Sequence, residues 1–470
     1  MTLNMQFVND TGLPDDQVFV TFQDPGQTLA ASFGANNTAI ARANAGDMMT
    51  KSYSLATLGK AGLEITNAEG PVVFISYAAT KDHGGFVMDA DLSGNEQPSF
   101  IGSGGVNYKK AYQPFEITAK KGEDSGQGNL TNINYFAAPI SIRSFNGGTK
   151  GTQLQERGYY GNTAKGTAKL ADALNKLTSG APTATVTENG KALRYIGPSS
   201  YGAGDNPFSS FAAYLNALHK DGTTAKIQNH NAFNTKAKDP KDSVNYNYEL
   251  NFVASFAKDN TITLSGDITT TIIKYGHKPT PGTTYKGAVL TISPTTGPNT
   301  SEDIFTNTIY GQADPHGAGK GSTTFNAVWD TLEADMNALG FDIAHPFATT
   351  QSLAIGEITT GLLGGFVGSK TIYKNGTGEY KQYDGSAYGT LPSAAWWNTD
   401  PIPEPKALQS GHTFYSDYSD TIFAATDNQV YSIPFSDRFG KGPLMQTQLY
   451  NGKTVDTWVV TLGVPTFMLP

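Results

Sequence analysis

The sequence predicts a mainly β protein with an α/β insertion, on three observations. The first 145 residues and the last hundred are patterned as short strands broken by Gly- and Asn-rich turns. The strongest helical periodicities fall between them. Charged residues make up only 16% of the chain, against roughly a quarter in average soluble domains, a profile of turn-dense β proteins. The expected division puts residues 1–150 and 365–470 in a β core formed by both ends of the chain. Residues 151–364 then form a mixed α/β middle domain.

Taken in order, Leu3–Val8 and Gln17–Phe22 alternate around Asn9-Asp10-Thr11-Gly12, a strand–turn–strand pattern. Val72–Tyr77 is an unbroken β-branched and aromatic run, which predicts a strand covered on both faces. In Ala164–Leu177 the residues Leu170, Leu174 and Leu177 share one helical face, and Gly180 follows as a stop. Asp205-Asn206-Pro207 reads as an N-cap and first-turn proline for a helix carrying Phe208, Phe211, Ala212, Leu215 and Leu218. Asn251–Phe256, Thr261–Leu264 and Ile268–Tyr275 read as strands, and Phe325–Leu339 as an amphipathic helix. Strand candidates return at Thr371–Tyr373, Tyr380–Tyr383, Thr413–Tyr418, Thr421–Ala425, Val430–Pro434 and Val455–Leu462. Asn375-Gly376, Asp384-Gly385 and Asn451-Gly452 supply hairpin-type turns among them.

Tyr112–Phe145 carries the chemistry. Glu116 lies among apolar neighbours, and alternation sends its side chain to the face opposite Phe115 and Ile117. It reads either as the solvent-facing residue of an alternating strand or as one carboxyl of a glycosidase acid/base pair. A Gly/Asp/Ser/Asn connection leads to a second strand within Ile133–Ile142, where Pro139 favours an edge or bulge.

These residues resemble glycoside hydrolase family 64, the thaumatin-like β-1,3-glucanases. Glu116 and Thr118 match that family's Glu-x-Thr strand, while Asn132, Ile133, Phe136, Pro139 and Ile140 match the strand that follows. The similarity runs on through Asn206–Leu215, Ser265-Gly266-Asp267, Glu302–Phe305 and Tyr431–Gly440. It implies a thaumatin-like β-sandwich or barrel core beside a mixed α/β domain, with a wide groove between. It also implies an inverting endo-β-1,3-glucanase in which Glu116 protonates the glycosidic oxygen. The second catalytic carboxylate of the family falls five residues before the proline, where this chain has Asn134. An amide cannot serve as a general base, so a non-catalytic, lectin-like glucan binder and a structural or self-assembling protein that kept the fold are the alternatives.

Sugars are held by flat aromatics against their C–H faces and by polar groups on their hydroxyls. Thr118, Tyr159, Trp396, Trp397, Tyr415 and Asp437 are the expected substrate-binding residues, with Tyr160, Tyr418, Asp417 and Asp420 as further members. Each also has a plainer reading: the aromatics as core, the acids as turn or capping residues. Glu123 and Asp124 are acids able to replace a missing base if their loop folds back.

A net charge of −8 argues against nucleic acid or an anionic membrane as partner, and suits a neutral polysaccharide. With no cysteine there is neither a disulfide framework nor a thiolate metal site. The seven histidines show no H-x-x-x-H or H-E-x-x-H spacing, no G-x-S-x-G is present, and Gly102–Gly105 and Gly361–Gly365 lack a phosphate loop's Lys-Ser/Thr. No cofactor is therefore expected. Leu353–Val367 is too short and too interrupted for a bilayer. Met1–Asp10 lacks the basic start and apolar run of a signal peptide, while the resemblance implies an extracellular protein.

Overall fold

The computed structural model describes residues 2–78, 85–86, 107–159, 161, 163–201, 207–208, 211–233, 244–274, 278, 280–292, 323–338, 347–374, 381–399, 402–410, 414–434 and 442–470. The chain forms two compact units: 1–200 with 421–432 and 442–470, and 201–420 with 433–441.

The first unit is built on a twelve-stranded sheet. Its axis is the strand Leu63–Tyr77, which serves two sets of partners. The first half of that strand pairs with Leu3–Asn9 and Ala30–Phe33, the second half with Val18–Gln23 and Ala111–Ala119. The ladder with Ala111–Ala119 shifts register at a bulge between Glu69 and Val72. Gly70 there has φ +78° and Pro71 brings no N–H. Ladder pairing is thus interrupted at Gly70-Pro71.

Sequence-distant segments complete the sheet. Thr457–Leu462 lies parallel to Leu3–Asn9 and antiparallel to Ile140–Asn146, so it is inserted between two strands laid down early in the chain. All six of its residues are buried. The sheet then closes on itself almost completely. Its outermost strands are Thr152–Gly158 at one end and Met445–Gln446 at the other. The Gln155 side chain spans them: its Oε1 accepts from the Gln446 N–H at 2.9 Å and its Nε2 donates to the Leu444 carbonyl at 3.4 Å. Across the interior, Trp458 is fully buried and donates its Nε1–H to the Gln446 carbonyl at 3.1 Å. A second sheet of three strands, Thr185–Glu188, Lys191–Ile196 and Tyr135–Phe136, belongs to the same unit.

The second unit holds an antiparallel meander of four consecutive strands, Thr224–Phe233, Val244–Phe256, Ile262–Lys274 and Thr280–Ile292. The helix Thr323–Ala338 covers it, with the Trp329 ring 5.5 Å from Tyr248 and Phe325 6.0 Å from Phe252. Gly266 sits where a Cβ would come within 2.0 Å of the Asn251 carbonyl oxygen, which lets the two expected strands Thr261–Leu264 and Ile268–Tyr275 run as one. The architecture is therefore mainly β with a mixed α/β portion, as the sequence predicts. Among the described residues, no helix is long and apolar enough to cross a membrane.

Several expected elements are corrected. The helix read from Pro207 starts at Ala212, because the Phe208 ring is committed to Tyr201 and Tyr418, 6.3 and 5.9 Å away, from outside the helix. Thr421–Ala425 belongs to a helix, Asp417–Thr426, not to a strand. Tyr418, Ile422 and Thr426 are buried at intervals of four, a helical stripe that the segment's aromatic and β-branched content obscures. Lys381–Tyr383 is a turn of 3-10 helix, and Thr371–Tyr373 and Val430–Pro434 contribute only isolated bridges, Ile372 to Ala387 and Tyr431 to Thr131. Trp396 ends a four-residue helix, Ser393–Trp396.

Candidate functional site

Glu116 occupies the strand Ala111–Ala119, whose burial alternates as its sequence does. Phe115 and Ile117 are fully buried on the core side, while Glu116 is exposed on the other, flanked by the half-buried Pro114 and Thr118. The register sets Glu116 opposite Val72 on one neighbouring strand and Asn129 on the other. Asn129 Nδ2 donates to Glu116 Oε2 at 3.0 Å, which fixes the carboxyl group over the sheet.

Asn129 was not foreseen, because Gln127–Leu130 lies in the segment read as a connection and is instead a strand. Gly128 is the signal that could have found it. A Cβ there would lie 2.3 Å from the Glu116 carbonyl oxygen and 2.7 Å from the Trp458 ring. A glycine in mid-strand often marks such close backbone approach, and here it lets the Asn129 strand press against the Glu116 strand.

The same face continues to Tyr112, two alternations before Glu116, where it is closed over. Tyr112 is fully buried and packs edge-on against Phe74, Phe86 and Tyr135 at 6.0, 5.2 and 5.1 Å. The guanidinium of Arg194, itself fully buried, lies 4.3 Å from the Tyr112 ring centroid and donates to the Lys110 carbonyl. Burial pushes the Tyr112 phenol up to about 12, with Arg194 pulling it down and Tyr108 adding to the rise. The open part of the face is thus the Glu116–Thr118 end.

Asn134 precedes Tyr135 and is tied to residues 197–200. Its main-chain carbonyl accepts from Gly197 N–H at 2.7 Å and Ser200 Oγ at 2.8 Å, and its Oδ1 accepts from Ser199 Oγ at 3.0 Å. Glu116 and Asn134 share no hydrogen bond; their side chains bond to Asn129 and Ser199 respectively. Glu123 is an exposed turn residue 3.9 Å from Lys120, and Asp124 is exposed. Among the described residues no three histidine or acidic side chains converge as a cation site requires.

A 470-residue chain with this architecture invites comparison with solved structures. A laminaripentaose-producing β-1,3-glucanase in complex with laminaritetraose aligns over 98% of this chain and 99% of its own, at 14% identity and a TM-score of 0.51. The two chains share a fold. A β-1,3-glucanase domain of glycoside hydrolase family 64 from Clostridium beijerinckii aligns over 98% of both chains at 13% identity, with a TM-score of 0.46. No protein-family model matches the sequence, and no curated protein does.

The expected sugar-binding residues are distributed unevenly. Tyr159 is buried against Phe136, with its hydroxyl donating to Asn132 Oδ1 at 2.9 Å, so it is a core residue and not a platform. The tryptophans are corrected in the same way. Trp396 is sealed between Phe366, stacked at 5.7 Å, and Gly361, whose missing side chain leaves room for the indole. Its Nε1–H donates to the Tyr388 carbonyl at 2.9 Å, and Trp397 donates to the buried carboxylate of Glu357. Indole N–H groups that end on buried acceptors belong to a core. Tyr418 is likewise fully buried. Tyr415 is half-buried, and its phenol is pushed up first by burial and then by Asp420, Asp417 and Glu404. Tyr160, Asp437 and Glu302–Phe305 lie outside the described residues.

Proposed function

We propose that this protein binds β-1,3-glucan on the Glu116 face and that Glu116 is the proton donor to a glycosidic oxygen there. The observation that carries the reading is the exposed Glu116 carboxyl, held by the Asn129 amide, with the Thr118 hydroxyl on the same side. Carboxyl, amide and hydroxyl on an open sheet face are the groups that a sugar's hydroxyls pair with. The shared fold with a β-1,3-glucanase supports the choice of polymer. Thr118 serves as a substrate-binding residue in this reading, and an extracellular location is proposed with it.

Hydrolysis is slow in this reading, because position 134 offers an amide where inversion needs a second carboxylate to activate water. Asn134→Asp tests it. The substitution is nearly isosteric, and an Asp oxygen still accepts from Ser199 Oγ, so that side-chain hydrogen bond survives. Turnover of laminarin, followed by reducing ends, should rise by about 10²–10⁴-fold, the usual contribution of a general base. Retention of wild-type protein on insoluble β-1,3-glucan should be strong and should fall in Glu116→Ala. Fast wild-type hydrolysis that ignores position 134 would place the base elsewhere, and absence of both retention and turnover would end the glucan reading.

A further inference from the structure

We propose that the second unit carries a saccharide pocket of its own, which takes a short neutral oligosaccharide. A cavity of about 740 Å³ opens there; among the described residues, those that line it all belong to that unit and none belongs to the Glu116 face. Its volume lies within the range of pockets that hold small organic ligands.

Gln409 is the residue that points to a ligand. It lines the cavity and is 6% exposed. Its Nε2 donates to the carbonyls of Gly365 and Val367. Both partners are pure acceptors, so the amide cannot be flipped, and Oε1 must point away from them. Among the described residues no donor reaches Oε1. That oxygen is left free to accept from a ligand hydroxyl that enters the cavity.

The remaining lining narrows the class. Leu408 and Phe414 supply apolar wall, and Phe414 is set by parallel stacking on the buried Tyr214 at 4.9 Å and 5°. Asp221 and Lys370 are both exposed, and neither is ion-paired among the described residues. Their opposite charges cancel, so the pocket favours neither anion nor cation. It offers an acceptor amide, an acceptor carboxylate and a donor ammonium beside apolar wall. A compound with hydroxyls that both donate and accept, and with C–H faces between them, meets all four. That compound is a saccharide, and the volume exceeds what one sugar ring fills.

The test is calorimetric titration of the full chain with laminaritriose, cellotriose and maltotriose, for wild type and Ser410→Trp. Ser410 is an exposed lining residue, so the indole fills the cavity without disturbing the core. Lys370→Ala with Asp221→Ala is a second, non-blocking variant, and thermal melts check that both remain folded. The expected result is that Ser410→Trp loses one equivalent of trisaccharide and the double variant weakens that equivalent by roughly tenfold. Both should keep wild-type retention on insoluble glucan. The choice of laminaritriose rests on the proposed function. If maltotriose or cellotriose alone fills the site, the pocket stands and the β-1,3 reading suffers. Identical binding by wild type and Ser410→Trp, or no binding of any trisaccharide at millimolar concentration, overturns the proposal.

Discussion

The two units make their sheets in opposite ways. In the second, four consecutive strands pair with their sequence neighbours. In the first, Leu3–Asn9 finds its partner in Thr457–Leu462, and the edge strands are joined through the Gln155 side chain. Local pairing closes short loops and is entropically cheap; pairing across most of the chain has to be driven by burial. Where such a late strand lands, it should be covered on both faces, and Thr457–Leu462 is buried throughout.

Paired tryptophan truncations probe this contrast with the largest effect. Trp458→Ala and Trp329→Ala each remove a fully buried indole, at a cost of about 3–5 kcal/mol. Hydrogen exchange should show the first loosening strands of the closed sheet and the second loosening the meander; the same strands loosening in both would erase the distinction. Gly128→Ala comes next. Its new Cβ would meet the Glu116 carbonyl and the Trp458 ring, and overpacking of that kind costs about 1–3 kcal/mol. Chemical denaturation should show the loss, with glucan retention falling as well because the Asn129–Glu116 contact is displaced. Gln155→Ala should cost about 1–2 kcal/mol, since it strips the Gln446 N–H of its acceptor.

The smallest effects are electrostatic and differ in sign between the units. In the first, burial tends to raise Asp456. The Gly147 and Gly148 N–H groups and the Thr457 hydroxyl outweigh it and hold the carboxyl below the usual range. Its contribution is present above the unfolded value near 4 and is lost as pH falls through the folded one. Asp456→Ala should therefore destabilise near neutral pH by less than about 1 kcal/mol after solvent screening, and the difference should vanish in acid. In the second unit, burial chiefly raises Asp420, with Glu404 and Asp417 adding to it against the Lys406 N–H and ammonium. Here stability is present below the unfolded value and declines as pH rises through the folded one. Asp420→Asn should raise the melting temperature slightly at pH 7 and leave it unchanged below pH ~4.

The same contrast decides how much could be read from the sequence. The helix Ala164–Leu177 was legible because Leu170 and Leu174 face inward and the turn after it needs glycine. Helix Phe347–Leu363 was not, since Ala354–Leu363 is buried on every side and shows no stripe. Leu63–Tyr77 was recognised only in its doubly covered half, because Gly70-Pro71 reads as a break and is a bend. At the candidate site, alternation alone put Glu116 outward. The amide that holds it comes from a four-residue strand whose glycine mimics a turn, and the burial of Trp396 and Trp397 depends on Phe366, Tyr388 and Glu357, which no local pattern links to them.

The insertion of Thr457–Leu462 between Leu3–Asn9 and Ile140–Asn146 also sets a timetable for biosynthesis. At about 5–20 residues per second, the ribosome delivers the early strand roughly 20–90 s before its partner. During that interval two strands each keep one edge of N–H and C=O groups unpaired, the template on which β-sheets join between molecules. A nascent chain of this protein therefore carries that open seam for most of its translation. Ribosome stalling late in the chain but before codon 457 should give insoluble product, although most of the polypeptide has already been made.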